Sequence, residues 1–189
     1  MTLSHKLFRA TVHSRDVRRR YAHLYAVPPR RFPRAKHVPP GRTLHLVDIE
    51  NLMGGPRAGP AALLRAVSAY RVAAPVTVGD HVIIGTNPNL GVIAHASWPS
   101  VRLVVRGGPD GADIALLGQV KDDRWVAARY DRIVVGSGDS VFAVVAKTFR
   151  QHGLAVGVVS REQSLSYALG RAATFVRILP DPAPTTEAA

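Results

Sequence analysis

Residues 132–152 read RIVVGSGDSVFAVVAKTFRQH. Arg132–Val135 is a short β-prone run, and the small polar turn Gly136–Ser140 follows it. From Ser140 to His152 the residues Val141, Val144, Val145, Thr148 and Phe149 recur at the spacing of one helix face. Strand, tight turn and helix in that order form one unit of a parallel sheet, because a parallel neighbour is reached only by a crossover.

The same alternation extends in both directions. Upstream, Leu44–Ile49 reads as a strand and Pro60–Val72 as a helix with Leu63, Leu64, Val67 and Tyr70 on one side. His81–Gly85 reads as a strand, an unpatterned stretch follows, and Val101–Val105 is the next strand. Ala112–Ala128 reads as one long helix carrying Ile114, Leu117, Val120 and Trp125. Downstream, Leu154–Val159 is a strand, Ser164–Arg171 a short helix and Phe175–Ile178 a last strand. Continuous Val/Ile/Leu runs, rather than alternation, belong to strands buried on both faces. The expected architecture is a three-layer α/β domain. Its sheet is mainly parallel, with about five or six strands, helices on both faces and right-handed crossovers.

Composition sets the frame around that core. The chain has 189 residues, with 25 Lys and Arg against 13 Asp and Glu, a formal charge of +12. It has no cysteine, which excludes disulfides, thiolate metal sites and a cysteine nucleophile. No apolar stretch reaches the length of a membrane span and no apolar signal region opens the chain, so a cytoplasmic protein is expected. The charge is unevenly placed. Residues 1–42 hold 11 bases against the single acid Asp16, or +10, and the remaining residues hold 14 bases against 12 acids, or +2. Three segments are therefore expected: a basic Arg/Pro-rich arm over 1–42, a folded domain over 43–179 and a disordered tail over 180–189. Within the arm, residues 1–27 have weak helical periodicity, whereas prolines 28, 29, 33, 39 and 40 favour an extended linker. Arg18, Arg19, Arg20, Arg30, Arg31, Arg34 and Lys36 are candidate nucleic-acid contacts, interleaved with Tyr21, Tyr25 and Phe32.

Ligands of open α/β sheets bind beyond the carboxyl ends of the strands. After the first strand comes Asp48, with Glu50 and Asn51 close behind; after the fourth comes GSGDS, carrying Asp139. Asp113 opens the helix that follows the third strand. Three carboxylates far apart in sequence are thus expected at one end of one sheet. Like charges brought together call for a cation or a retained proton. Oxygen ligands without His or Cys suit Mg²⁺ or Mn²⁺, ions that serve phosphoryl chemistry. Each Asp has a simpler reading as a helix cap or turn former, and only their joint placement favours a site. The eight histidines show no metal-ligand spacing. Arg102, Arg106, Lys121 and Arg124 lie near the Asp113 segment as candidate phosphate contacts, or as an ordinary solvated face.

VDIENL at 47–52, ADIALL at 112–117 and VVGSGDSVF at 134–142 resemble, in order and spacing, the three acidic motifs of the NYN-domain family of the PIN-like nuclease superfamily. The resemblance spans about residues 43–179. It implies a Rossmann-like fold, a Mg²⁺ or Mn²⁺ site and endoribonuclease activity on RNA. Asp48, Asp113 and Asp139 would be the metal-binding and catalytic acids, with Asn51, Ser137 and Ser140 supporting them. Two positions depart from the family's pattern: Val141 stands where a further Asp is usual, and Gln119 where a second acid is frequent. These departures motivate an alternative, a catalytically weak or inactive RNA-binding or assembly module on the same fold. A third reading is a nucleotide-binding domain using the GSGDS turn, although that turn lacks the full G-x-G-x-x-G pattern. A homo-oligomer is allowed by the sequence and not required by it.

Overall fold

The structure, a computed structural model, describes residues 41–55 and 58–180. Strand β1 (Thr43–Asp48) is buried at all six positions. Leu44 and Leu46 enter the core on one of its faces, and His45 and Val47 point to the other. A strand buried on both faces must be flanked by further strands and covered by two helical layers, and that is the arrangement found.

On one side β1 pairs with β2 (His81–Thr86), which pairs with β3 (Arg102–Val105). On the other it pairs with β4 (Arg132–Gly136), followed by β5 (Ala155–Arg161) and β6 (Phe175–Leu179). The order is β3-β2-β1-β4-β5-β6 and all five pairings are parallel. This is the doubly wound α/β arrangement, with its topological switch point between β1 and β4. Helices α1 (Ile49–Met53), α2 (Pro60–Ala73) and α3 (Pro88–Ser97) pack on one face. Helices α4 (Gly111–Gln119), α5 (Asp123–Ala127), α6 (Phe142–Gln151) and α7 (Tyr167–Ala172) pack on the other. Among the described residues no helix is long and apolar enough to cross a membrane.

Two elements differ from the expected pattern. The unpatterned stretch after β2 contains α3, whose apolar face is obscured by Gly91 and by valine and isoleucine at Val92 and Ile93. Its start is nevertheless chemically defined: Asn87 caps the amides of Asn89 and Leu90, and Pro88 occupies the first turn. The single helix over 112–128 is two helices. Asp122 breaks it by accepting from the amide of Trp125, so a new helix begins there and Trp125 is turned outward, half-exposed.

Arg42 belongs with the domain rather than with the arm. Its backbone carbonyl accepts from Asp131 N at 2.9 Å, its Nε donates to the Gly79 carbonyl at 2.6 Å, and its guanidinium lies 5.1 Å from the Tyr130 ring centre. The readings made for residues 1–40 and 181–189, including the arginine contacts of the arm and the disordered tail, lie outside the described residues.

His45 is a buried polar group beneath α2. Its Nδ1 is 2.9 Å from the Tyr70 hydroxyl, and its Nε2 is 4.0 Å from Asp80 Oδ2. Burial pushes the imidazole pKa down to about 4, with Asp80 opposing the shift and Arg132 adding to it. Because the folded pKa lies below the unfolded one, the unfolded chain binds the extra proton. Stability attributable to His45 is full above about pH 6.5 and is lost as pH falls towards 4, by roughly 3 kcal/mol at most. Urea unfolding of His45→Asn, which retains a partner for Tyr70, should show a flatter fall of stability across that window than the wild type.

Candidate active site

The β1–β4 pairing places Val47 opposite Gly136, so both chains leave the sheet side by side at the switch point. Asp48, the last residue of β1, also caps α1: its Oδ1 accepts from Asn51 N at 3.2 Å. Its Oδ2 accepts from the buried Ser137 hydroxyl at 3.4 Å. Asn51 completes a bridge between the two turns, since its Oδ1 accepts from Gly138 N at 2.9 Å. Ser137 Oγ also accepts from Asp139 N at 3.2 Å.

Asp113 arrives from α4. At Gly85 of β2 a Cβ would stand 2.7 Å from Leu116 Cγ, so only glycine lets α4 lie directly on the strand. Asp113 is one turn before Leu116 on the same helix face, and close packing of the one brings the other to the strand ends. The residue before α4, Asp110, has φ 54°, the left-handed region that Asp tolerates better than most residues.

Asp48 and Asp113 are both buried and hydrogen-bond to each other. Burial raises both carboxyl pKa values, and their mutual repulsion, with Asp139 adding to it, raises Asp113 the further. One proton is therefore retained by the pair at neutral pH. Asp113 Oδ1 is buried without a hydrogen-bond partner. An orphaned carboxyl oxygen beside a second acid fits a hard divalent cation, since Mg²⁺ is commonly held by one or two carboxylates and keeps several waters.

The third acid does not join them closely. Asp139 Oδ1 accepts from Val141 N at 2.9 Å and from Ser140 Oγ at 3.4 Å, so that carboxylate closes its own turn. Among the described residues no three Asp, Glu, His or Cys side chains are gathered as a ligand set for a metal ion. Asp139 stands near enough to act on the pair electrostatically but is committed to its loop. Val141 is buried in the core, and Gln119 donates to the Ala115 carbonyl of its own helix at 3.2 Å.

The pair opens on a cleft of about 650 Å³ between the start of α3, at Asn87–Asn89, and the segment Arg106–Gly111 that leads into α4. Arg106 lines it, whereas Arg102 begins β3 level with Ile83 in the middle of β2, and Lys121 and Arg124 follow the far end of α4. Glu50 and Asn87 also line the cleft, bound through Glu50 Oε1 and Asn87 N at 2.6 Å. Asn87 was not legible as a site residue because the helix it caps was not. The GSGDS turn is not an open cradle: a Cβ at Gly138 would collide with the Ser164 carbonyl that covers it.

Asp113→Asn keeps a donor towards Asp48 while removing a buried acid. The native pair holds more protons than the unfolded chain above the ordinary carboxylate range, so wild-type stability declines as pH rises through neutrality. In EDTA, the variant should melt higher than wild type at pH 8 by about 3–6 °C and converge with it near pH 4, as read by thermal unfolding.

No protein-family model matches the chain, and no curated protein sequence matches it. Among solved structures it is similar to the crystal structure of a protein of unknown function from Vibrio parahaemolyticus, with a TM-score of 0.53 and 16% identity. The match covers 78% of this chain and 97% of that one, and the likeness is one of fold.

Proposed function

We propose that the protein is a metal-dependent ribonuclease that hydrolyses RNA phosphodiester bonds in the cleft at the switch point. The observation that carries this reading is the pair of buried carboxyls Asp48 and Asp113, one with an orphaned oxygen, in a cleft that also presents Arg106. Asp48 and Asp113 would hold Mg²⁺ or Mn²⁺, with Asp139 as a weaker third acid. When bound, such an ion supplies Lewis-acid stabilisation of phosphate oxygens and lowers the pKa of water at the site. Ser137 and the Asn51 amide fix the orientation of the Asp48 carboxylate. Asn51 also ties the Gly138 turn to α1, which keeps Asp139 at a set distance from the pair. Arg106 would face the incoming phosphate, and Asp113 would hold the ion as a carboxylate, its proton released to solvent.

A second reading is an RNA-binding module on the same fold that does not cut. It is favoured by the engagement of Asp139 with its own turn and by the neutral residues at Val141 and Gln119.

Cleavage of end-labelled RNA in Mn²⁺, Mg²⁺ or EDTA separates the two. Metal-dependent cutting is expected from the wild type. A loss of at least about a hundredfold is expected in Asp113→Asn or Asp48→Asn, against about tenfold in Asp139→Asn. Unchanged cutting in Asp113→Asn would remove the site assignment. Retention of RNA without cutting in every metal would select the binding module.

A further inference from the structure

The loop that leads into α4 carries an acid that neither caps the helix nor closes the loop. Gly111 N donates to the Gly108 carbonyl at 3.1 Å, with Pro109 second and Asp110 third in the turn. Positive φ at the third position marks a type II turn, where glycine or asparagine is the usual residue. Among the described residues Asp110 is the one non-glycine with positive φ. It stands at the N-cap of α4, yet its side chain makes no cap hydrogen bond. Among the described residues its carboxylate has no hydrogen-bond or ion-pair partner.

The turn is firmly set. A Cβ at Gly111 would collide with the Arg106 carbonyl, so the loop folds back onto its own start. Asp110 is thereby held at the cleft that Asp113 also lines. The two acids are three residues apart at one helix start, the spacing of neighbours on a helix. Asp113 is 7% exposed, and its Oδ1 is buried without a partner. Asp110 stands close enough for its charge to act on that carboxyl. Glycine would satisfy the turn, and any neutral residue would relieve the repulsion between the acids. An acid present against both preferences, beside an orphaned carboxyl oxygen, calls for a cation close to both.

We propose that Asp110 is a positioning residue of the cation site, accepting hydrogen bonds from the hydration shell of a divalent ion held at Asp113. Mg²⁺ is commonly bound by one or two carboxylates and keeps several waters, so a nearby acid acts on it without becoming a direct ligand. This agrees with the absence, among the described residues, of three acidic or histidine side chains gathered around one point. Asp139 is turned to its own loop, and Asp110 supplies the further negative charge that Val141 and Gln119 do not. The proposal rests on the metal site of the reading above and not on cleavage.

The full-length protein, freed of metal with EDTA and exchanged into EDTA-free buffer, is titrated with Mn²⁺ near neutral pH. Free Mn²⁺ is read by electron paramagnetic resonance, and thermal unfolding in EDTA is measured beside it. Saturable binding is expected in the wild type. Asp110→Asn keeps a residue suited to positive φ and removes the charge, whereas Asp110→Gly relaxes the turn. Both should bind Mn²⁺ at least about tenfold more weakly, the usual effect of losing an outer-shell partner, and should melt in EDTA no lower than the wild type. Asp123→Asn removes an acid beyond the far end of α4, paired there with His152, and should bind Mn²⁺ as the wild type does. If Asp110 serves only the helix dipole, its variants melt lower and bind Mn²⁺ unchanged, which would overturn the proposal. Wild-type affinity in Asp110→Asn, or an equal loss in Asp123→Asn, would overturn it too. A wild type that binds no Mn²⁺ would remove the metal site altogether, and with it both readings. Weakened binding in the variants of a protein that never cuts RNA would overturn the nuclease reading alone.

Discussion

The parallel pairing of β1 with β4 is the constraint on which the site depends. Strand order reverses there, so the helices that follow the two strands diverge to opposite faces and leave a gap above the strand ends. The register Val47↔Gly136 sets Asp48 against the Ser137–Gly138 turn, and two hydrogen bonds across the gap, from Ser137 to Asp48 and from Gly138 to Asn51, lock the turns together. A slip of one residue would turn the Asp48 side chain to the other face of the sheet. Burial on both faces forbids that slip, because it would carry leucines 44 and 46 away from their core as well.

Much of this was legible in residue order. Apolar runs gave β1, β2, β4 and β5 because buried parallel strands carry uninterrupted Val, Ile and Leu. Acids directly after those runs gave Asp48 and Asp139, since strand ends in such sheets are where polar residues return. What stayed illegible has physical causes. Helix α3 lacks an amphipathic signature because it packs on an edge, with Leu90 and Ala94 buried while Val92 is exposed. The interruption between α4 and α5 depends on one side-chain cap by Asp122, a local contact that periodicity averages away. The division of labour among the three acids was equally hidden, because it turns on whether a carboxylate faces its neighbours or its own amides.

That division is informative about charge. Two buried carboxyls in contact are costly when both are ionised, and the sheet retains them although an amide at Asp113 would preserve the hydrogen bond to Asp48. A purely structural role has no need of the second acid. Asp139 is different, because its Oδ1 satisfies Val141 N at the start of α6 and thereby earns a structural explanation of its own. The case for chemistry therefore rests on Asp48 and Asp113, and the motif's third acid adds field rather than a ligand seen in place.

Charge also divides the molecule by direction. Asp48, Glu50, Asp110 and Asp113 line the cleft at the carboxyl ends of the strands, whereas Arg42 and Arg132 lie at the amino ends of β1 and β4. Six residues of strand separate these two ends by about 20 Å. Arginines in those positions at the cleft itself would offset the charge of its acids. Placed at the far end, Arg42 and Arg132 add little to the field at the carboxyl pair, since screening over about 8–10 Å keeps the two ends distinct at physiological salt.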